Sequence, residues 1–276
     1  MAATPDSAGF SIPQDYLPFQ VNDRRPDFSL VADSNGVPDW DGDLVFDSHG
    51  AWKLWRSGGQ YLISLESSNR KGLPYQIAYL DEGFSQGRAF TWEGMGELLP
   101  NYFPFSYPLD EVLAVNRLAL GHGIEVHACG ISDHGRGLLF LGVSGAGKST
   151  MSRLWDAGEE VVVLSDDRII ITPRDGRFWI HGTPWHGDAG LADPGGVPLA
   201  AIFFLSHGET NTVSSLSPAQ TASRLMARSF PTFWNQEGLG FSTGIATDVA
   251  LTVPGRELEF VPGPETVDYV RRLLDS

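Results

Sequence analysis

The sequence predicts a mixed α/β protein with a β-rich section at its N-terminus. Short apolar runs separated by turn residues fill residues 28–92, a pattern typical of antiparallel strands. Beyond residue 109, apolar runs of strand length alternate with segments of helical spacing, as in an α/β domain. A glycine-rich turn at 142–150 separates one such strand from one such helix. We therefore expect two domains, residues 1–108 and 109–276.

Composition limits the classes of partner and the location. The 276 residues are 42% hydrophobic, so the chain can bury a sizeable core. Its net charge of −15 repels nucleic acid and anionic lipid, and we expect neither as a main partner. Residues 1–10 lack a signal-peptide pattern, and no run approaches the roughly 18 apolar residues that span a bilayer. We expect a cytoplasmic protein.

The N-terminal section is predicted to contain an antiparallel set of strands. Turn-forming residues at 47–50, 57–59 and 69–72 separate its apolar runs. Its tryptophans and tyrosines are expected to pack rather than to bind a ligand. The predicted strands are residues 44–46, 51–55, 61–65 and 76–80.

The C-terminal section is predicted to alternate strands and helices. The predicted strands are residues 125–131, 137–141, 161–164, 168–172, 178–181 and 199–205. Helices are predicted at about 109–120, from the glycine-rich turn to about 157, from Pro218 onwards and at 264–274. Ser217 and Gln220 form a capping pattern at the start of the third helix.

Residues 142–149 match the Walker A pattern Gly-x4-Gly-Lys-Ser/Thr at every position. Its glycines let successive N–H groups point inward, which forms an anion nest at a helix N-terminus. Lys148 is expected to reach the β- and γ-phosphates, and the Ser149 hydroxyl to ligate Mg²⁺. The motif therefore predicts binding of ATP, or a close relative, with Mg²⁺. The expected phosphate-binding residues are Gly142, Ser144, Gly145, Ala146, Gly147, Lys148, Ser149 and Thr150.

Two adjacent carboxylates, Asp166 and Asp167, follow the apolar run 161–164. A strand that delivers carboxylates just past its C-terminal end suits a Mg²⁺–phosphate site. The interval from Lys148 has room for one helix and one strand. Alone, the pair also fits a solvated turn, but beside the Walker A pattern it indicates a metal site.

These two motifs carry a resemblance to a known family. Residues 139–152, with Leu-Ser-Asp-Asp-Arg at 164–168, resemble the catalytic domain of HPr kinase/phosphorylase. They are also similar to the nucleotide site of phosphoenolpyruvate carboxykinase, which shares that fold. The resemblance covers about residues 118–205. It implies a P-loop catalytic domain of this type after the β-rich section.

The resemblance also implies an activity and residue roles. HPr kinases use ATP and Mg²⁺ to phosphorylate a serine hydroxyl, so the expected acceptor is a serine-like hydroxyl of a peptide, carrier protein or small molecule. One aspartate would handle Mg²⁺ and the other would act as the base. Asp167 is favoured as the base and Asp166 as the metal ligand, although the sequence leaves their order open. His127 matches the histidine in the strand pair before the HPr kinase P-loop and would lie near the transferred phosphate; a hydrogen-bonded core histidine is the alternative.

One segment departs from the family pattern. HPr kinases carry a glutamate before an Arg-Gly in the strand after the acidic pair, whereas residues 178–182 contain no carboxylate. Asp188, in the following loop, is a candidate for the missing metal contact, with an ordinary loop acid as the alternative. This departure leaves the acceptor open. HPr kinases assemble as hexamers, so a homo-oligomer is one expectation, although the matching motifs do not include the assembly surfaces.

Arginines and other side chains give further candidates. Arg224 and Arg228 lie four residues apart on a predicted helix and share a face. They are candidates to neutralise charge on the transferred phosphoryl group; a solvated basic face or pairing with acids fits equally well. His181, His186 and Asp188 lack the spacing of a strong zinc motif. The single cysteine, Cys129, has no activating basic neighbour and is expected to be inert.

Two rival functions remain open at the level of sequence. A carboxykinase-like phosphotransferase is disfavoured because those enzymes are much longer and bind a dicarboxylic acid through additional basic residues. A nucleotide-sensing or peptide-binding module would hold ATP without transferring its phosphate, with the β-rich section as its interaction surface.

Overall fold

The computed structural model describes residues 11–21, 25–33, 36–66, 73–92, 95 and 102–275. The chain divides into two compact units, Met1–Arg117 and Leu118–Ser276. The boundary expected at 108/109 lies one helix earlier in the chain. One unit is dominated by a sheet and the other combines a sheet with helices, so the predicted mixed α/β class is confirmed.

The first unit contains a six-stranded sheet in the order β1-β6-β5-β4-β3-β2. Strands β2 to β6 form an antiparallel meander, and β1 pairs with β6 in parallel. Strands β2 to β5 were predicted, whereas β1 and β6 were not; the turn predicted at 69–72 lies outside the described residues. The strands are β1 (Ser29–Asp33), β2 (Asp43–Asp47), β3 (Trp52–Ser57), β4 (Gln60–Glu66), β5 (Pro74–Leu80) and β6 (Gln86–Thr91). A 3-10 helix (Gln14–Phe19) precedes this sheet in the chain, and helix α1 (Leu109–Leu118) follows it.

Apolar side chains of the central strands form the core of the first unit. Leu54, Leu62 and Ile77 are fully buried. Aromatic rings pack against one another in pairs, as in Tyr61 with Phe84, whose ring centroids are 4.8 Å apart. Such contacts add about 0.5–1.5 kcal/mol each beyond area burial.

The second unit contains an eight-stranded sheet and four helices. The elements are β7 (Ile124–Asp133), β8 (Arg136–Leu141), α2 (Lys148–Asp156), β9 (Val161–Ser165), β10 (Arg168–Arg174), β11 (Arg177–Gly182), β12 (Gly196–His207), β13 (Thr212–Ser215), α3 (Pro218–Met226), α4 (Gln236–Thr252), β14 (Gly255–Phe260) and α5 (Pro264–Asp275). The six predicted strands and the predicted helices are present, including the Ser217–Gln220 capping box. Strands β13 and β14 and helix α4 were not predicted.

Parallel and antiparallel pairings meet at β8. Strands β8, β12 and β14 are mutually parallel neighbours, whereas β7 pairs with β8 in the antiparallel sense. Strand β10 joins β7 to β11, and β11 pairs in turn with β12. The strands β7, β8, β12, β11 and β10 therefore form a closed circuit of pairings.

Two apolar clusters cover the faces of this sheet. Leu139 on β8 belongs to the cluster that contains Ile245 and Val249 of α4. Its neighbour Phe140 belongs to the cluster that contains Trp155 of α2 and Val270 of α5. Since successive residues of a strand point to opposite faces, the sheet is a middle layer with helices on both sides.

Helix α4 was missed because its sequence is a poor helix former. It contains three glycines and three threonines, which disfavour helix in isolation. The Asn235 side chain accepts a hydrogen bond from Gly238 N at its N-terminus, and Ile245, Ala246 and Val249 are buried against the sheet. Burial of this face therefore decides the conformation. Within the described part of the chain, no helix combines the length and apolar character needed to cross a bilayer.

Trp155 gives a test of the packing beneath α2. Its side chain is fully buried, yet its indole N–H has no hydrogen-bond partner. We expect Trp155→Ala to lower the free energy of unfolding by about 3–5 kcal/mol, because a large cavity forms. Trp155→Phe should cost much less, since it also removes the unpaired donor. Urea denaturation measures both; equal losses would contradict this assignment.

Candidate functional site

Residues 142–149, which we call the glycine loop, connect β8 to α2. Gly145 and Gly147 have φ values of 80° and 101°, in the left-handed region that favours glycine. A Cβ atom on Gly147 would lie 2.5 Å from Cζ of Phe260, so this position also excludes a side chain. No side-chain hydrogen bond caps the N-terminus of α2, and its first turn has no acidic residue. The positive end of the helix is thus left for an anion.

The loop is supported from the ends of the neighbouring parallel strands. His207, the last residue of β12, places Nε2 2.8 Å from the carbonyl oxygen of Gly145. Its ring stacks on Phe260 at the end of β14, with centroids 6.3 Å apart. Sequence reasoning named neither residue, because their approach depends on the parallel pairing of β8, β12 and β14.

Lys148 is the first residue of α2 and is only 8% exposed. Its Nζ donates a hydrogen bond to the carbonyl oxygen of Gly142 at 3.1 Å. Burial lowers the pKa of Lys148 below its usual value; Asp167 acts in the opposite direction, and Arg228 and Arg168 act in the same direction as burial. The pKa of Lys148 is therefore influenced by charges from two other segments of this unit, residues 167–168 and the end of α3.

The acidic pair occupies a break between two strands that follow the same edge of β7. β9 pairs with residues 130–133 and β10 with residues 124–127, both antiparallel. Asp166 and Asp167 bridge them, and the Asp167 carbonyl accepts from Ala128 N at 3.0 Å. The hydroxyl of Ser165 accepts from the amides of Asp167 and Arg168. The break is consequently a fixed irregularity rather than a solvated turn.

Asp166 holds a neighbouring backbone segment. Its side chain is 1% exposed, and its two oxygens accept hydrogen bonds from Gly187 N and Ala189 N, both at 2.8 Å. A Cβ atom on Gly187 would lie 3.0 Å from Asp166 Oδ2 and 3.2 Å from Asp167 Cβ. The turn at 187–189 is thus clamped onto the acidic pair.

The Asp167 side chain contacts His127 and Arg168. Its Oδ1 is 2.8 Å from Nε2 of His127, and its Oδ2 contacts Nη1 of Arg168. Burial by itself would raise the pKa of Asp167, but the hydrogen bond from His127 and the charges of Arg168, His127 and Lys148 bring the pKa below its usual value. Asp167 is therefore a carboxylate at neutral pH, next to a half-exposed imidazole.

Two charged residues that sequence reasoning did not select complete this region. Arg168 is the cross-strand neighbour of His127, and its Nε lies 3.4 Å from Oε1 of Glu125. The Glu125 side chain is fully buried. In the sequence, only one feature points to Glu125. It is a charged residue two positions before His127, and so on the same face of an otherwise apolar strand.

The candidate arginines Arg224 and Arg228 differ in their surroundings. Arg224 lies in α3 and Arg228 just after its C-terminal end. Arg224 Nη2 lies 3.3 Å from Glu257 Oε2. The carbonyl of Arg228 accepts from His127 N at 2.7 Å, which brings Arg228 beside β7. Burial, together with Arg224, lowers the pKa of Arg228, and Arg228 contributes to the electrostatic environment of Lys148.

The remaining candidates make other contacts. Asp188 is exposed on the clamped turn, where its carbonyl accepts from Arg153 Nη2 at 3.4 Å. His181 bonds to Thr172, and burial raises the pKa of the Cys129 thiol. Among the described residues, no three His, Cys, Asp or Glu side chains form a group that could hold a metal. A Mg²⁺ site needs only one or two carboxylates beside substrate phosphates.

The family model described as "SynChlorMet cassette protein ScmC" matches residues 110–250, just over half of the chain. No curated protein matches it. Among solved structures, the "Hpr(Ser) kinase/phosphatase from Coxiella burnetii" is similar over 55% of this chain and 99% of its own, with 15% identity and a TM-score of 0.34.

The clamp gives a testable expectation. Asp166→Ala should lower the free energy of unfolding by about 2–4 kcal/mol, because two hydrogen bonds to a buried carboxylate are lost. Exchange of the Gly187 and Ala189 amides with solvent deuterium should accelerate. Asp188→Ala, on the same turn but exposed, should change stability by less than about 0.5 kcal/mol. Equal effects of the two substitutions, measured by urea denaturation, would contradict the clamp.

Proposed function

This chain belongs to the family of SynChlorMet cassette protein ScmC, and from that premise and the geometry of the site we propose that it is an ATP- and Mg²⁺-dependent kinase. In this proposal it resembles HPr kinase in transferring the γ-phosphoryl group to a serine-like hydroxyl. The acceptor is a peptide, a carrier protein or a small molecule. In this proposal the phosphoryl transfer takes place in the cytoplasm.

One observation carries the proposal. The glycine loop, with its uncapped helix N-terminus, lies in the same unit as the Asp167–His127 pair. They are neighbours in the sheet, because Ala128 of β7 pairs with Leu141, the residue before the loop, and donates its N–H to the Asp167 carbonyl at 3.0 Å. Lys148 begins the helix that follows the loop. A phosphate-binding loop, a buried lysine and a carboxylate placed to act as a base are recurring parts of phosphoryl-transfer sites.

The loop would bind the triphosphate through backbone amides and through Lys148. In the structure, Lys148 Nζ is engaged by the Gly142 carbonyl, so binding exchanges this contact for a phosphate oxygen. Ser144 and the glycines of the loop, with Thr150 in the first turn of α2, would contribute backbone or hydroxyl donors. The helix dipole of α2 favours the negative charge.

The donor groups fit a Mg²⁺ ion. Magnesium prefers oxygen ligands and keeps several waters, with few protein ligands. The Ser149 hydroxyl would hold the ion with a carboxylate of the acidic pair, and Asp188 is a peripheral candidate. When bound, Mg²⁺ neutralises charge on the β- and γ-phosphates.

Asp167 is proposed as the base. Its Oδ atom would accept the proton of the acceptor hydroxyl while that oxygen forms a bond to the γ-phosphorus. The bond from this phosphorus to the β,γ-bridging oxygen breaks, and ADP leaves with its electron pair. His127 keeps Asp167 oriented and, with Arg228, would offset charge on the transferred group. The low pKa of Asp167 keeps it ionised for this role.

A second candidate function has specific support. Both oxygens of Asp166 are engaged by backbone amides, and residues 178–182 carry no carboxylate. A site with fewer carboxylates available for metal suits a module that holds ATP and signals its presence without transfer. Tight ATP binding without any phosphorylated product would favour this alternative.

The kinase proposal is tested by transfer from ATP labelled at the γ-position. The purified full chain and Lys148→Ala are each incubated with Mg²⁺ and cell extract, and the labelled species are identified by mass spectrometry. We expect labelling by the wild type and at least a roughly 100-fold loss in Lys148→Ala, since the phosphate charge loses its buried cation. Equal labelling by both proteins would refute the assignment.

The two arginines provide a matched pair for the transfer step. Arg228→Ala should lower kcat by about 100-fold or more, because a cation beside Lys148 and His127 is removed. Arg224→Ala should keep most of the activity, since this residue is paired with Glu257. Initial rates at saturating ATP measure both; a larger loss in Arg224→Ala would reverse the assignment.

A further inference from the structure

Arg168 joins two carboxylates beside the proposed base. Its Nε lies 3.4 Å from Glu125 Oε1, and its Nη1 contacts Asp167 Oδ2. The arginine side chain is 16% exposed, whereas that of Glu125 is fully buried. One guanidinium therefore faces a buried structural acid on one side and Asp167 on the other.

Three segments of the chain contact Arg168. Its Cζ lies 4.6 Å from the ring centroid of Phe230, and Phe230 N donates to the Glu125 carbonyl at 3.0 Å. The backbone carbonyl of Arg168 accepts from the Thr183 hydroxyl at 2.8 Å. β7, the segment after β11 and the segment after α3 thus hold Arg168, so its position does not depend on a single contact.

The charges explain why an arginine is needed here. A buried carboxylate without a cation is strongly destabilising, and Arg168 supplies the cation for Glu125. The guanidinium is planar and its donors have fixed directions. The ion pair with Glu125, with 3.4 Å between Nε and Oε1, therefore holds one side of this plane while Nη1 on the other side contacts Asp167.

We propose that Glu125 and Arg168 are positioning residues for Asp167, an inference that rests on the proposed role of Asp167 as the base. Arg168 holds Oδ2, which leaves Oδ1 turned to His127 Nε2 at 2.8 Å. Neither residue touches the phosphates or the acceptor in this assignment. They act by preventing rotation of the Asp167 carboxylate away from its working orientation.

The test compares Arg168→Lys and Glu125→Gln with Arg271→Lys in the full chain. Arg271 is a matched control: it also pairs with a fully buried carboxylate, Asp133, at 2.7 Å, and lies 5.4 Å from the ring centroid of Trp155. A lysine keeps the positive charge at either site. It has a single nitrogen with rotatable N–H groups, so it lacks the fixed, planar arrangement of donors of the guanidinium. All three variants are first checked for folding by their thermal unfolding.

A positioning role predicts a split between kcat and KM. Arg168→Lys should lower kcat about 10- to 100-fold, because small misplacements of a reacting group are costly, and should leave KM for ATP within about twofold. Glu125→Gln should lower kcat less, by about 3- to 10-fold, since Arg168 keeps its contact to Asp167 but loses its anchor. Arg271→Lys should leave kcat unchanged. An unchanged kcat in folded Arg168→Lys would overturn the inference.

A spectroscopic readout separates this inference from the proposed function. In wild type, the His127 Nε2 proton bonded to Asp167 should give a distinct downfield signal in nitrogen-15-edited NMR spectra, assigned by its loss in His127→Gln. Arg168→Lys should lose or broaden it, whereas Arg271→Lys should keep it. Its retention in folded Arg168→Lys would overturn the positioning role. If wild type transfers no phosphate, the kinase proposal fails, and this comparison alone decides the role of Arg168.

Discussion

The candidate site depends on the pairing of two successive strands with one edge of β7. β9 is in register with the second half of β7 and β10 with the first half, so Ser165 lies opposite Gly130 and Arg168 opposite His127. The two residues between them are held at both ends. Successive residues of an extended chain point in opposite directions, which sends Asp166 to the clamped turn and Asp167 to His127. A two-residue break thereby gives adjacent identical side chains different surroundings.

Local charge at the site differs from the charge of the whole chain. The protein carries a net charge of −15, yet Arg168 and Arg228 act on Lys148, and Arg168 and Lys148 act on Asp167. Exposed charges are screened over about 8–10 Å in salt, whereas partly buried groups are screened much less. The distant acidic residues therefore matter little here. The electrostatics of the site are set by the partly buried cations that α2, β10 and the end of α3 place near β7.

Sequence patterns predicted regular elements well wherever local composition and burial agreed. The runs that became β7 to β12 are apolar, and the Ser217–Gln220 cap is a local hydrogen-bond pattern, so both were visible in the sequence. Helix α4 was not, because glycine and threonine disfavour helix and only contact with the sheet stabilises it. Glu125 and Arg168 were missed for a related reason: each looks like an ordinary charged residue until β10 pairs with β7.

By itself, the sequence determined the Walker A loop, because its glycines and Lys148 lie within the single short segment 142–148 and their conformation is set by local backbone sterics. It also determined that two carboxylates follow a buried strand. Only the tertiary structure decided which carboxylate faces the imidazole and which binds the 187–189 turn, and which of the two arginines approaches Lys148. Those choices come from strand register and from contacts between residues far apart in the chain, and no local pattern encodes them.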